Sequence, residues 1–185
     1  MEFRSSAPGV EVFGAVVAAF LAAFPKGTEA VGVSTLAAQG IKNPDPEKWY
    51  PLQSLLNAMK DVAAKMGVDM LRRIGEGIAG NAILPPGWTT LESVLSGIDT
   101  AYHLNHRGGE IGHYEFHDEG VSSGLRRIRM ECPNPYPCVF DQGTIDGFAN
   151  RFRPPGCIDV LVRHDDAQPC RQHGADSCTY VVSWA

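Results

Sequence analysis

The sequence is short of basic residues and of long hydrophobic runs. It has 16 Lys and Arg against 21 Asp and Glu, a formal net charge of -5 over 185 residues. Binding to a nucleic-acid backbone requires a basic face, so we expect no nucleic-acid partner. The longest apolar run, Val12 to Phe24, has 13 residues. That length is too short to cross a bilayer, and it predicts a core helix and no membrane partner.

Cysteine is absent from the first 131 residues, and all five cysteines follow. Near the N-terminus, Glu2 and Glu11 offset Arg4, so the positive start of a secretory signal is missing. We therefore expect a cytoplasmic protein. In a reducing compartment, thiols tend to be buried, catalytic or metal-bound rather than bridged.

Several common catalytic signatures are also missing. The chain contains no nucleophile elbow, phosphate loop, dinucleotide fingerprint or HExxH sequence. Its composition, with 44% hydrophobic and 20% charged residues, is that of a folded globular chain. The length predicts one domain over residues 1–185.

The apolar spacing changes from helical to alternating along the chain, which predicts an α+β fold. Residues 10–107 are predicted to be helical and 108–185 to form an antiparallel sheet in β-β-α-β-β order. In the first part, the spacing predicts one helix from Leu52 to Ile74 and, after the capping pattern at Thr89, another to about Asn105. The second part gives strands at 110–117, 125–130, 157–163 and 179–184, with a helix from about Phe140 to Phe152.

Three of the cysteines are placed where a fold could bring them together. Cys170 and Cys178 flank a turn-forming stretch between two strands, and Cys138 begins a helix, where the dipole favours a thiolate. His164, at the end of a strand, can supply a nitrogen ligand, which would complete a tetrahedral zinc set. The spacing is equally compatible with buried apolar thiols.

The same region resembles the 4-vinyl reductase-type domain. The similarity lies in about the last third of the chain, residues 125–185. Its residues are Cys138-x4-Gly143-x3-Gly147-Phe148-Ala149-x2-Phe152, the strand to Arg163, and Cys170-x7-Cys178 with Gly174 between the two cysteines. This family shares its fold with heme-NO-binding proteins and with TRAPP-complex transport subunits.

The resemblance implies a small-molecule-binding or sensor domain that acts as a homodimer. In the family, small hydrophobic or aromatic ligands bind between helices and sheet, and a structural zinc closes the C-terminal end. Carried over to this chain, the zinc ligands are Cys138, Cys170 and Cys178. The family's fourth ligand is a Glu three positions before the first cysteine of the pair, where this chain has Ala167. We expect His164 to replace it, with Asp166 or Cys132 as alternatives.

A second cluster of polar residues could instead carry catalysis. It runs from Tyr102, His103 and His106 to His113, Tyr114, Glu115 and His117. The histidines could form a metal site or a general base, or they could satisfy helix-end carbonyls and form a solvated strand face. An enzyme on the same fold, a hydrolase or a tetrapyrrole-pathway protein, is the alternative function. A heme needs one axial histidine in an apolar pocket; His103 could serve, but no motif of the heme-binding relatives is present, so we do not expect heme.

The ligand pocket is expected between the Leu52–Ile74 helix and the sheet. A stripe of methionine and aromatic residues on that segment is typical of a core, and methionine also lines sites that accept varied apolar ligands. The predicted ligand-binding residues are Trp49, Tyr50, Met59, Met66, Tyr102, His103, His106 and Tyr114.

Overall fold

The computed structural model describes residues 3–185, with most helices ahead of the main sheet. The helices are α1 (Gly14–Ala22), α2 (Glu29–Ala38), α3 (Leu52–Met66), α4 (Asp69–Asn81), α5 (Leu91–Leu104) and α6 (Cys138–Arg151), with a 3-10 turn at Arg171–His173. The strands are β1 (Glu11–Phe13), β2 (Trp49–Pro51), β3 (His106–Arg107), β4 (Glu115–Ser122), β5 (Leu125–Cys132), β6 (Leu161–His164) and β7 (Cys178–Trp184).

The main sheet confirms the predicted α+β class and the β-β-α-β-β order. Its four strands lie in the order β4-β5-β7-β6, and every neighbouring pair is antiparallel. Alternation places Ile128, Met130, Tyr180 and Val182 on the buried face. The register pairs Cys132 directly with Cys178.

Helix α6 lies buried between this sheet and α4. Its backbone approaches α4 so closely that a Cβ on Gly143 would lie 2.0 Å from the carbonyl oxygen of Arg72, and one on Gly75 would lie 2.4 Å from that of Phe140. No larger residue fits at either position. The glycines of the Gly143-x3-Gly147 pattern therefore serve helix packing.

The prediction of a single helix from Leu52 to Ile74 is wrong. The segment forms two helices, α3 and α4, which meet at Gly67 with a φ of +88°. This left-handed conformation favours glycine, and it ends α3. The apolar faces of both helices are buried, so the spacing identified the buried residues but not the turn between them.

A second, small sheet in the order β2-β1-β3 was not predicted, because its strands have only two or three residues. Its strand β1 includes Val12 and Phe13, the first two residues of the predicted N-terminal helix, and the helix begins only at Gly14. In the part of the chain from residue 3 onwards, no helix combines the length and the apolar character needed to cross a membrane.

Candidate metal centre and ligand cavity

The fold brings Cys138, His164, Cys170 and Cys178 together at one end of the sheet. One ligand atom from each lies within 4.8 Å of those of the other three. The sulfur of Cys170 is 3.9 Å from the sulfur of Cys138 and 3.9 Å from that of Cys178. In a tetrahedral zinc site with Zn–S bonds of about 2.3 Å, sulfurs lie about 3.8 Å apart. The sulfur positions thus match a tetrahedral zinc set.

Each of the four residues stands at the end of an element. Cys138 opens α6 after Pro137, His164 ends β6, and Cys178 opens β7. Cys170 precedes the 3-10 turn, which closes at Gly174 with a φ of +91°. The seven residues between Cys170 and Cys178 therefore comprise this turn and the short connection from Gly174 to β7.

His164 is the fourth member of the group, whereas Asp166 and Cys132 are not. Its Nδ1 lies 3.1 Å from a carboxylate oxygen of Asp166, and its other ring nitrogen, Nε2, is buried. A carboxylate on the outer nitrogen of a metal-binding histidine is a common supporting contact. Asp166 is thus placed to orient His164.

The cluster favours a thiolate on Cys178. The Cys138 thiol donates a hydrogen bond to Cys178 and lowers the pKa of Cys178. The backbone N–H of Arg171 also donates to this sulfur over 3.4 Å. Because the thiolate is the form of cysteine that binds metal, a lowered pKa favours metal binding by Cys178.

An apolar cavity of about 380 Å³ lies where α1, α5 and α6 meet the segment after α4. Its polar lining includes Tyr102, Asn105, His106, Tyr114, Tyr136 and Thr144. The rest is mainly aliphatic or aromatic, and includes Ala15, Ala19, Ile78, Leu84, Trp88, Ile98, Phe140 and Phe148. Such a lining suits a small apolar or aromatic molecule.

A larger cleft, of about 930 Å³, opens between residues 4–11 and the turn around Gly174. Arg4, Glu11, Glu110 and Asp176 line it with charges of both signs. This cleft suits an apolar ligand less well than the smaller cavity does.

His106 is the histidine at the apolar cavity, and both its ring nitrogens have contacts. Nδ1 lies 2.8 Å from the carbonyl oxygen of Tyr102, and Nε2 lies 2.8 Å from the hydroxyl of Tyr136. Burial lowers the pKa of His106 to about 4, so the ring is neutral. Nδ1 therefore donates to the carbonyl, and Nε2 accepts from Tyr136.

Asp141 lies behind the polar lining of the cavity, fully buried in the first turn of α6. It accepts a hydrogen bond of 2.6 Å from the Tyr114 hydroxyl, and its second carboxylate oxygen, Oδ2, is also buried. Burial raises the pKa of Asp141 to about 8. Its carboxyl group is therefore largely protonated at pH 7.

The shifted pKa values of Asp141 and His106 should make the free energy of unfolding depend on pH. Between about pH 4 and 8 the folded state holds the Asp141 proton that the unfolded state has lost, so this group lowers the free energy of unfolding as pH rises. His106 acts in the opposite sense between its folded pKa of about 4 and its ordinary value of 6.5. Asp141→Asn should remove the first effect, and its stability relative to wild type should rise by up to about 1.4 kcal/mol per pH unit.

Urea denaturation at pH 5, 6.5 and 8 measures this difference. Asp118→Asn is the control, because a hydrogen bond from Arg126 lowers the pKa of Asp118 to about 2 and keeps it ionised throughout. Its stability difference should stay constant over the range. A constant difference for Asp141→Asn as well would mean that Asp141 is ionised in the folded protein.

Three of the eight predicted ligand residues, Tyr102, His106 and Tyr114, line the apolar cavity. Met59 and Met66 lie elsewhere in or against the core, Trp49 stacks under Arg107, and the Tyr50 hydroxyl accepts a hydrogen bond from the Asp45 amide. His103 points to Asp99 with about half of its side chain exposed. The cavity is therefore not beside the Met59 and Met66 stripe, where the pocket was expected, because those side chains fill the core.

The cavity residues that the sequence did not reveal come from α1, α6 and the loop before α5. Ala15 and Ala19 were interpreted as spacers in a core helix, Phe148 as an inward-facing core residue, and Phe140 only as the start of its helix. Tyr136 lies between two prolines and was predicted only to be irregular. Tyr136 lies two positions before Cys138, and this closeness to a predicted metal ligand is the sequence signal that it belongs to a site.

The Tyr102–His117 cluster does not form one site. Tyr102, His106 and Tyr114 face the cavity, whereas Glu115 and His117 lie with Glu131 in a separate, half-exposed group.

No protein-family model and no curated protein sequence matches this chain. Several solved structures do. An H-NOX protein from S. oneidensis in the Fe(II)NO state has 17% identity and a TM-score of 0.67, with 94% of this chain and 99% of that chain covered. An H-NOX variant from K. algicida in the Fe(II) unliganded state has 13% identity and a TM-score of 0.60, with 94% and 96% covered. The chain has the H-NOX fold.

A further similar structure is described as "Modulating Heme Redox Potential Through Protein-Induced Porphyrin Distortion", with 11% identity, a TM-score of 0.60, and 93% of this chain and 98% of that chain covered. These neighbours contradict the expectation that heme plays no part. That expectation rested on the absence of a short sequence motif. These structures share the fold at 11–17% identity, so the fold does not depend on such a motif.

Proposed function

We propose that the protein is a ligand-binding sensor domain of the 4-vinyl reductase type. It binds one small apolar or aromatic molecule in the cavity of about 380 Å³ between α1, α5 and α6. The observation that carries this proposal is the lining, in which apolar side chains surround polar groups that include three tyrosines and His106. Each buried CH2 of a ligand would contribute about 0.8 kcal/mol, and the polar groups would orient it.

In this proposal a structural zinc fastens the C-terminal tail. Three sulfurs and the Nε2 of His164 make four protein ligands, which leave no coordination position for substrate or water. Tyr180 supports the site by donating a 2.6 Å hydrogen bond to the carbonyl oxygen of Cys138. Such a closed set favours a structural role over a catalytic one.

Helix α6 connects the two sites. Cys138 begins it at the metal centre, and Phe140, Thr144 and Phe148 on the same helix line the cavity. A ligand that moves these side chains therefore acts on a helix whose first residue is held by the metal. We propose that the resulting change passes to a second copy of this chain in a homodimer. The thiolate site suits the reducing cytoplasm.

Heme is the second candidate for the cavity, and His106 is the observation that favours it. Its neutral ring donates from Nδ1 to the Tyr102 carbonyl, and Nε2, which accepts from the Tyr136 hydroxyl, would be the atom available to hold a heme iron. The similar S. oneidensis structure is of an Fe(II)NO state. A heme here would supply an iron that binds a diatomic gas.

Hemin titration separates the two candidates. If heme is the occupant, wild type should show the Soret shift of histidine ligation, His106→Ala should lose it, and His103→Ala should retain it because His103 lies outside the cavity. A wild-type spectrum that remains that of free hemin would exclude heme and leave a metal-free apolar ligand.

A further inference from the structure

The outer face of the β4–β5 hairpin carries a second group of metal-ligating side chains. One ligand atom each from Glu115, His117 and Glu131 lies within 4.8 Å of the other two. Their side chains are between 34% and 44% exposed, so the group lies at the protein surface. The group belongs neither to the cavity nor to the Cys3His centre.

The strand register places two like charges directly opposite each other. Glu115 pairs with Glu131 across the antiparallel ladder, and His117 pairs with Arg129 at the next position on the same face. Like charges in a directly opposed pair destabilise a sheet. A cation between the two carboxylates would remove that repulsion.

His117 points its ring into the gap between these carboxylates. Its Nε2 lies 3.4 Å from an oxygen of Glu115 and 3.6 Å from an oxygen of Glu131. That nitrogen is almost inaccessible to solvent, and the two carboxylates are its ion-pair partners. In a tetrahedral site with bonds of about 2.0–2.1 Å, ligand atoms lie about 3.3 Å apart, close to both separations.

The surrounding residues already hold this arrangement. Nε2 of His113 lies 2.8 Å from Oε1 of Glu115 and leaves Oε2 facing His117. Such outer contacts orient metal-binding carboxylates. On the other side, Arg129 contacts Glu131 and, at 3.1 Å, Glu119. Arg129 supplies the positive charge that an ion would replace at Glu131.

We propose that Glu115, His117 and Glu131 form a second metal site, which binds a divalent transition-metal ion such as zinc or cobalt. One imidazole and two carboxylates are a donor set suited to these ions. With three protein ligands and an exposed face, the ion keeps at least one position for water or an external ligand. The site is therefore open and exchangeable, unlike the Cys3His centre.

Cobalt titration of the purified zinc-loaded protein tests the site. We expect one equivalent of Co²⁺ to bind per chain, with weak d–d absorption and without the intense sulfur-to-metal charge-transfer band of thiolate ligation. His117→Ala should weaken this binding by at least about tenfold. His103→Ala removes another exposed histidine that has only one carboxylate partner, and it should bind cobalt as wild type does.

Arg129→Gln gives a test that a folding defect cannot imitate. Loss of the competing cation should make cobalt bind several-fold more tightly, whereas a damaged hairpin would bind it more weakly. The proposal is overturned if wild type takes up no cobalt, if uptake brings thiolate charge transfer and releases zinc, or if His117→Ala binds as wild type does. Weaker or unchanged binding by Arg129→Gln would also overturn it.

Discussion

Replacing Cys178 with serine should abolish zinc binding and lower the unfolding temperature by about 10 °C or more. Cys178 is fully buried, and its sulfur contacts both the Cys170 sulfur and the Arg171 amide. Serine is a poor zinc ligand, and without the ion the starts of α6 and β7 lose their common anchor. Because metal binding occurs only in the folded state, its free energy is also free energy of folding.

Elemental analysis and thermal unfolding measure the two effects. Cys157→Ser is the matched control, because this half-buried thiol lies outside the metal group and donates to the Asp159 carbonyl, as a serine hydroxyl also could. The control should keep its zinc and its unfolding temperature. If Cys178→Ser retained one zinc per chain, the predicted ligand set would be incorrect.

Replacing Ala19 with tryptophan should reduce ligand binding by about a hundredfold or more, because the indole would occupy the volume that the ligand needs. Ala19 lines the cavity from α1 and is only half-buried, so the larger side chain enters the cavity with little disturbance of the core. Fluorescence titration with 1-anilinonaphthalene-8-sulfonate, a dye with an aromatic body and one sulfonate group, measures the affinity.

Ala22→Trp provides the comparison on the same helix. Ala22 is exposed and does not line the cavity, so an indole there adds aromatic surface without filling the site. Its affinity for the dye should equal that of wild type. Equal binding by all three proteins would place the dye elsewhere and remove the support for this cavity.

The main sheet and the tail cluster could be predicted because local sequence determines both. Alternation gave the β-β-α-β-β order of elements along the chain, and the short turn between Cys170 and Cys178 keeps these two residues close in sequence and in space. The choice of His164 followed from its position at the end of a strand, which the structure gives as the end of β6.

The break at Gly67 and the small sheet could not be predicted in the same way. The apolar spacing continues through Gly67 from α3 to α4, so the periodicity carries no sign of the turn. Strand β1 exists because β2 and β3 pair with it from distant parts of the sequence. Long-range pairing of two or three residues leaves no local pattern.

The cavity was misplaced because empty space has no signature in a sequence. Methionines at positions 59 and 66 looked like a flexible lining, yet Met59 is fully buried and Met66 packs against the core. The actual lining depends on small residues of α1 facing the aromatic side of α6. Similarly, His106 and Tyr136 meet only through the tertiary fold, 30 residues apart.

Native mass spectrometry of the freshly purified protein tests the central claim most directly. The account predicts a chain that carries one zinc ion and one small organic molecule, with the organic molecule lost in Ala19→Trp and the zinc lost in Cys178→Ser. A wild-type chain with the bare mass of its polypeptide, folded and without metal or small molecule, would contradict it.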